Sequence, residues 1–200
     1  MRYRRNDIVE RAVGILDQYG LPDLSMRRIA GELGLQPSAL YHHFASKQEL
    51  LAAVADELLE RGARPDDASV AWDVRVVARG HELRDAMLAY RDGAELIATV
   101  HAFGLGSRRP ADPIEQAIVA SGVDASFARV AAMTVLHFVF GHVSDEQTHL
   151  QAGSAGAIDA DPRDRRGDET FDLGLSLVLG GIRHHSATRQ ALASDRDLRL

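Results

Sequence analysis

Cysteine is absent from this chain of 200 residues, which excludes disulfides, thiol catalysis, iron–sulfur clusters and cysteine-ligated zinc together. Lysine occurs once, at Lys47, so arginine carries nearly all of the positive charge. No apolar run approaches the ~20 residues needed to span a bilayer, and the opening Met-Arg-Tyr-Arg-Arg-Asn leads into no apolar signal core. Strand-type alternation is nearly missing as well. A cytoplasmic protein with neither a membrane span nor thiol chemistry is expected. What the chain does have is apolar side chain: 46% of its residues are hydrophobic, enough for a sizeable core, and this excludes disorder as the global state.

Charge is unevenly spread. The net charge is −6, from 23 Lys and Arg against 29 Asp and Glu, a balance that argues against a general nucleic-acid coat, because phosphate binding needs clustered cations. Yet residues 1–50 hold 7 cations and 6 anions, with Arg2, Arg4, Arg5 and Arg11 at the front, whereas residues 51–200 hold 16 and 23. The acidity belongs to the later part of the chain. Nucleic-acid binding, if present, falls to a few placed residues near the beginning.

Apolar residues recur with helical spacing throughout. Ile8, Val9, Ala12, Val13, Ile15 and Leu16 predict a helix over 6–19, stopped by Gly20. Ser25 is a good N-cap for a helix over 26–33, and Gly34 ends it. A very short helix fits 37–43, with Pro37 in the first turn. Ser46-Lys47-Gln48-Glu49 then reads as a capping box before Leu50, Leu51, Val54, Leu58 and Leu59. Pro, Asp and Ala at 64–69 mark a hinge. Beyond it the pattern predicts helices over 72–90, interrupted at Gly80, and over 94–103, after an Arg91-Asp92-Gly93 turn. A loop over 104–112 leads to a helix over 113–121. Two long apolar helices follow, over 126–150 and 171–184, joined by a Gly- and Asp-rich stretch over 151–167 expected to be a mobile loop. Residues 186–200 read as a polar tail with one marginal helix. Gly141, inside the first long helix, predicts close approach by another helix. The two long helices are apolar nearly all round, so either they are buried in a larger bundle or they meet a copy of themselves across a two-fold axis; a homodimer is expected.

Residues 25–44 carry the sharpest pattern. A helix-turn-helix needs a small residue at the helix crossing, here Ala30, a turn residue tolerant of positive φ, here Gly34, and apolar anchors on the second helix, here Leu40 and Phe44. An ordinary αα-hairpin has the same needs. The residue identities go further. Ile8-Val9, the Gly20 stop, Ser25-x-Arg27-x-Ile29-Ala30-x-x-Leu33-Gly34 and Ser38-x-Leu40-Tyr41-x-His43-Phe44-x-x-Lys47-x-x-Leu50-Leu51 closely resemble the DNA-binding domain of the tetracycline-repressor (TetR) family. The resemblance implies a dimeric, ligand-responsive transcriptional regulator, usually a repressor, on double-stranded operator DNA. It makes 36–43 the recognition helix, with Gln36, Pro37, Ser38, Ala39, Tyr41, His42 and His43 at the DNA, Lys47 on phosphate and Arg27 reaching a guanine. Those roles suit the side chains. The front arginines are expected either to add phosphate contacts or to form a disordered tail.

Tyr90-Arg91-Asp92-Gly93-Ala94, His137-Phe138-x-x-Gly141-x-Val143 and Asp145-Glu146-Gln147-x-His149 resemble the C-terminal domain of the tetracycline-repressor class itself. That similarity implies dimer-forming helices near 126–150 and 168–184. The magnesium-binding histidine of tetracycline-binding members falls on Ile97, which cannot ligate a cation, and the polar Asn and the Phe of the helix after Trp72 fall on Arg79 and Leu83. Magnesium-tetracycline binding is therefore expected to be absent. The corresponding pocket residues are Arg79, Leu83, Ile97, Val100, His101 and Leu136, which favour a largely apolar organic effector bound without metal or cofactor.

The histidines suggest no metal centre. Glu146-x-x-His149 is a single copy of a spacing that di-iron sites need twice. His81-Glu82-x-x-Asp85 lacks the second histidine of a zinc-protease helix, and Asp159-Ala160-Asp161-Pro162 lacks the glycine and glutamate of a calcium loop. No nucleophile–base–acid order stands out. The expectation is an all-α regulator: a three-helix helix-turn-helix domain over 1–47, a connecting helix and hinge over 48–66, and a helical ligand-binding and dimerisation domain over 67–200. The rival is a helical enzyme or ligand-sequestering module with a vestigial helix-turn-helix, which would need convergent catalytic groups that the sequence does not display.

Overall fold

The computed structural model describes residues 3–159 and 167–197, with side chains as far as residue 188. The described residues form nine α-helices and one 3-10 turn, with no strand among them: α1 (Arg5–Tyr19), the turn Leu21–Asp23, α2 (Met26–Glu32), α3 (Pro37–Leu40), α4 (Lys47–Gly62), α5 (Trp72–Leu88), α6 (Gly93–Ala102), α7 (Ala111–Val119), α8 (Ala125–Ser154) and α9 (Asp168–Asp197). The all-α expectation holds. Two compact units emerge, one of Met1–Arg64 with Glu82–Pro110, the other of Pro65–His81 with Ala111–Leu200. The first chain crossing falls in the predicted hinge, but 82–110 join the leading helices.

In the first unit α1 buries the stripe read from the sequence: Ile8, Ala12, Ile15 and Leu16 are almost fully enclosed, with Val9 and Val13 beside them. Asp7 accepts from the Arg4 N–H (2.7 Å), and Gly20 closes the far end onto the Leu16 carbonyl (2.8 Å). Ser25 caps α2 through the Arg28 N–H (3.2 Å), and Ser46 caps α4 through the Glu49 N–H (3.1 Å). Glu49 reaches back to the Ala45 N–H (2.8 Å), one residue before its expected partner. The third helix is shorter than predicted. It ends at Leu40, and His43 donates to the Leu40 carbonyl (2.9 Å) in a tighter turn that carries Tyr41 and His42.

The second unit is built on α7, α8 and α9, with the start of α5. Asp124 caps α8 through the Phe127 N–H (2.9 Å), one residue ahead of the predicted start. Ala128, Ala132, Val135, Leu136, Val139 and Val143 form its buried stripe. α8 is long and apolar enough, by length and composition, to cross a membrane, although no uninterrupted apolar run is; its stripe packs against α7 and α9, and Glu146 and Gln147 are buried on it. Gly80 does not break α5: a Cβ there would lie 3.0 Å from Leu175, so its absence admits α9.

Two expectations need correction. Among the described residues nothing beyond the local helix backbone lies within 4 Å of a Cβ built on Gly141, so the close approach predicted there is not made by them. The tight α8–α9 contact is at Gly174, where a Cβ would meet the Phe138 ring at 2.4 Å. The last helix is also far longer than 171–184, because Asp168 and Glu169 suit its positive N-terminal end and residues 186–197 contain no Gly or Pro to stop propagation. The predicted mobile loop is shortened by α8 itself, which runs to Ser154, and its stretch 160–166 lies outside the described residues.

Candidate nucleic-acid interface

The helix-turn-helix is built from one buried edge and one open one. Ala30 is fully enclosed at the α2–α3 crossing, and Leu40 and Phe44 are fully buried behind it. Gly34 takes the turn at φ +66°, where a side chain would be strained, and Leu35 donates to the Ala30 carbonyl (2.8 Å). With the anchors inward, Arg27, Gln36, Ser38, Tyr41, His42 and Lys47 are all exposed, Tyr41 to 53%. Pro37, Ala39 and His43 are half-buried. An exposed tyrosine of that size, on a turn anchored by two buried apolar neighbours, is held where it can reach an external partner.

The cations divide into two sets. Arg5 lies over the Phe44 ring (4.5 Å) and faces Glu49 (3.7 Å); Arg11 faces Glu32 (3.8 Å); Arg28 stacks on Tyr19 (3.7 Å) and pairs with Asp23 and Glu32. These arginines hold helices together. Arg27 and Lys47 are exposed, and among the described residues neither is committed to such a pair. Arg4 is exposed just before α1, Arg5 and Arg11 lie in the helix, and Arg2 lies outside the described residues, so among the described residues only Arg4 of the predicted arginine arm precedes the helix.

Behind this face, α4 is tied to the rest of the unit by polar groups that sequence reasoning missed. Arg61 donates to Glu57 (2.8 Å) and Tyr90 Oη (3.3 Å) and pairs with Glu10 on α1. The Tyr90 hydrogen bond, then Glu57, pushes its pKa above the ordinary guanidinium value. Asp92, in the left-handed region at φ +56°, accepts the Leu21 N–H (2.8 Å) just past the end of α1. A Cβ on Gly20 would lie 2.5 Å from that carboxylate, which explains the glycine there beyond its helix-stopping role. The turn signal at 91–93 was legible; its partner 71 residues away was not.

The expected effector residues fall in both units. Leu83, Ile97 and Val100 are buried in the first, with His101 half-buried on α6. Arg79 and Leu136, both buried, belong to the second, where Arg79 donates to the Pro65 carbonyl (3.3 Å). Among the described residues no three His, Asp or Glu side chains gather where a metal ion would fit. His81, the zinc-like candidate, instead pairs with Asp172 (2.7 Å) and sits edge-on to Phe171.

On the second unit, Val130 of α8 is 64% exposed, and Leu173 and Leu177 of α9 are 61% and 71% exposed. Gly141, Gly180 and Gly181 have nothing within 4 Å of a built Cβ. An apolar surface lined with small residues is therefore left uncovered by the described residues.

Comparison with known proteins bears on both units. Residues 8–54 match the model of bacterial regulatory proteins of the tetR family, and residues 64–166 match the tetracyclin repressor-like C-terminal domain. The tetracycline repressor protein class A from transposon 1721 of Escherichia coli is 32% identical over 198 residues, covering 88% of this chain and 89% of that one. The crystal structure of Mycobacterium smegmatis BioQ superposes with a TM-score of 0.85 at 41% identity, covering 92% and 99% of the two chains. BioQ crystallised with its natural double-stranded DNA operator superposes at 0.78 with 39% identity, covering 90% and 98%.

Proposed function

Because this chain belongs to the TetR family of bacterial regulatory proteins, we propose that it is a ligand-responsive repressor that reads a palindromic operator as a homodimer in the cytoplasm. The observation that carries the reading is the outward set Arg27, Gln36, Ser38, Tyr41, His42 and Lys47, opposite the buried Leu40 and Phe44. Pro37 starts that short helix, and Ala39 and His43 complete the docking edge. Two such faces related by a two-fold axis would enter successive major grooves about one DNA turn apart. The operator complex of BioQ supports this use of the fold. In functional terms we assign 1–47 to reading DNA, 48–66 to the link, and 67–200 to effector binding and dimerisation.

The second copy would cover the surface of Val130, Leu173 and Leu177 on the helices near 126–150 and 168–184, where Gly141, Gly180 and Gly181 permit close backbone approach. The effector would be small and largely apolar. Leu83, Ile97 and Val100 offer hydrocarbon, with His101 as a polar handle, and Arg79 and Leu136 complete the set read from the sequence. Ile97 stands where a magnesium-tetracycline site needs an imidazole, so that complex is not the expected ligand, whatever the named drug of the class A relative. Its binding would act only through differential affinity for the head positions. The rival enzyme reading has no support, since the matched family is one of regulators.

The test is fluorescence-anisotropy titration against the duplex that the wild-type protein selects from a random pool. Tyr41→Ala and Lys47→Ala should weaken binding to every duplex, and Arg27→Ala should in addition relax base preference, by about 1–3 kcal/mol of discrimination. Unchanged affinities in all three would remove this docking face. Magnesium-tetracycline should leave the wild-type melting temperature unmoved.

A further inference from the structure

The loop that follows α6 is fastened to α4 by one carboxylate. Asp56 accepts the Ser107 N–H (2.8 Å), the Ser107 hydroxyl (2.8 Å) and the Arg108 N–H (2.9 Å), so three donors of two adjacent residues converge on its two oxygens. One helical turn on, Glu60 pairs with the Arg108 side chain. The loop is shaped for this seat. Gly106 sits at φ +85°, a conformation side chains rarely adopt, and a Cβ there would crowd Asp56 Oδ1 at 3.0 Å and Val100 at 3.3 Å. α4 is the same helix whose first residue is Lys47 and whose Ser46 cap follows directly on the recognition segment. Asp56 lies nine residues into it, about 14 Å along the axis. Its other polar edge, Glu57 and Arg61, is tied to α1 and Tyr90. The two edges together leave a rigid helix little freedom to tilt.

We infer that Asp56 is a positioning residue for operator reading: through it the 103–110 loop sets the attitude of α4 and hence of Lys47 and α3. The inference rests on the DNA-reading proposal above and adds what that proposal lacks, a residue remote from DNA on which selectivity depends. Electrostatics alone gives the opposite sign. Removing an anion from a DNA-binding unit should tighten binding to any duplex, whereas loss of the clamp should weaken the operator complex while random duplex is bound as before or slightly better.

The experiment compares wild type, Asp56→Ala, Asp56→Asn, Gly106→Ala and the Asp56→Ala/Gly106→Ala double variant on the selected duplex and on a scrambled one at equal salt, with melting curves as a folding control. Loss of three charge-assisted hydrogen bonds is expected to raise the operator Kd about tenfold in Asp56→Ala, with Asp56→Asn between it and wild type. Gly106→Ala, which disturbs the clamp from the loop side, should act in the same direction, and the double variant should be no more than about twofold worse than the weaker single, because both remove one interaction. Operator affinity of Asp56→Ala within twofold of wild type, an equal loss on scrambled duplex, or additive effects would each overturn the assignment. If the wild type selects no duplex, the DNA reading fails by itself. Amide exchange then decides the clamp: Ser107 and Arg108 should exchange at least about tenfold faster in Asp56→Ala, and equal rates would overturn it.

Discussion

Asp92 holds a left-handed backbone conformation that costs a non-glycine residue of order 1 kcal/mol or more, and its carboxylate receives the Leu21 N–H in return. Replacing it with alanine keeps the strain and removes the acceptor, so Asp92→Ala should lose about 1–2 kcal/mol in urea unfolding. Gly20→Ala should do at least as badly, since it adds a Cβ at positive φ against the same carboxylate. The Arg183 guanidinium beside Asp73 (2.7 Å) holds that carboxyl below its ordinary value of 3.8. A depressed folded value means that the contribution is fully present above about pH 4 and is lost as pH falls through the depressed value. Asp73→Asn should therefore lower stability at neutral pH and leave it little changed below the depressed value, which flattens the acid limb of a pH–stability curve. None of these pairings was legible in the sequence, because each joins residues far apart along it. The outward residues of the helix-turn-helix were legible because they lie within one short segment whose buried and exposed positions follow from local spacing.

Helix starts that rest on local caps were read to within a residue or two. Ser25 and Ser46 each accept an N–H three residues on, and alanine at either should cost about 1 kcal/mol of stability. The end of the last helix and the site of its closest contact were not read. α9 runs well past its apolar stretch, and the close α8–α9 contact falls at Gly174 rather than at Gly141. A glycine in a helical run is ambiguous in sequence. At 174 its missing side chain admits a ring of the same chain; at 141 no neighbouring element among the described residues comes near. Gly174→Ala should thus overpack the Phe138 contact and lower stability by about 1–3 kcal/mol in a urea melt. Gly141→Ala, with open space for the added methyl, should raise a monomer's stability by about 1 kcal/mol through helix propensity and, if the proposed second copy packs there, weaken its docking.

For the whole molecule, the exposed Val130, Leu173 and Leu177 argue for a second copy. Leu177→Glu places a charge in that surface. Sedimentation velocity should then show a monomer, and operator affinity should fall steeply because half of the contacts are lost with the partner head. Unchanged sedimentation would rule this surface out as the proposed dimer contact. The net charge of −6 belongs to the later residues, so affinity should come from a few cations. Plots of log Kd against log salt should be correspondingly shallow, with a slope lowered by about one in Lys47→Ala.

The amino-acid sequence by itself determined the all-helical class and the helix-turn-helix with its inward and outward residues, because helical periodicity, caps and residue identity are properties of short stretches. Tertiary structure alone decided that Asp92 meets Leu21, that Asp56 seats Ser107 and Arg108, and which glycines meet a neighbour. Those facts depend on which segments are brought together in three dimensions. A carboxylate's partner or the space beside a Cα cannot be inferred from spacing along the chain.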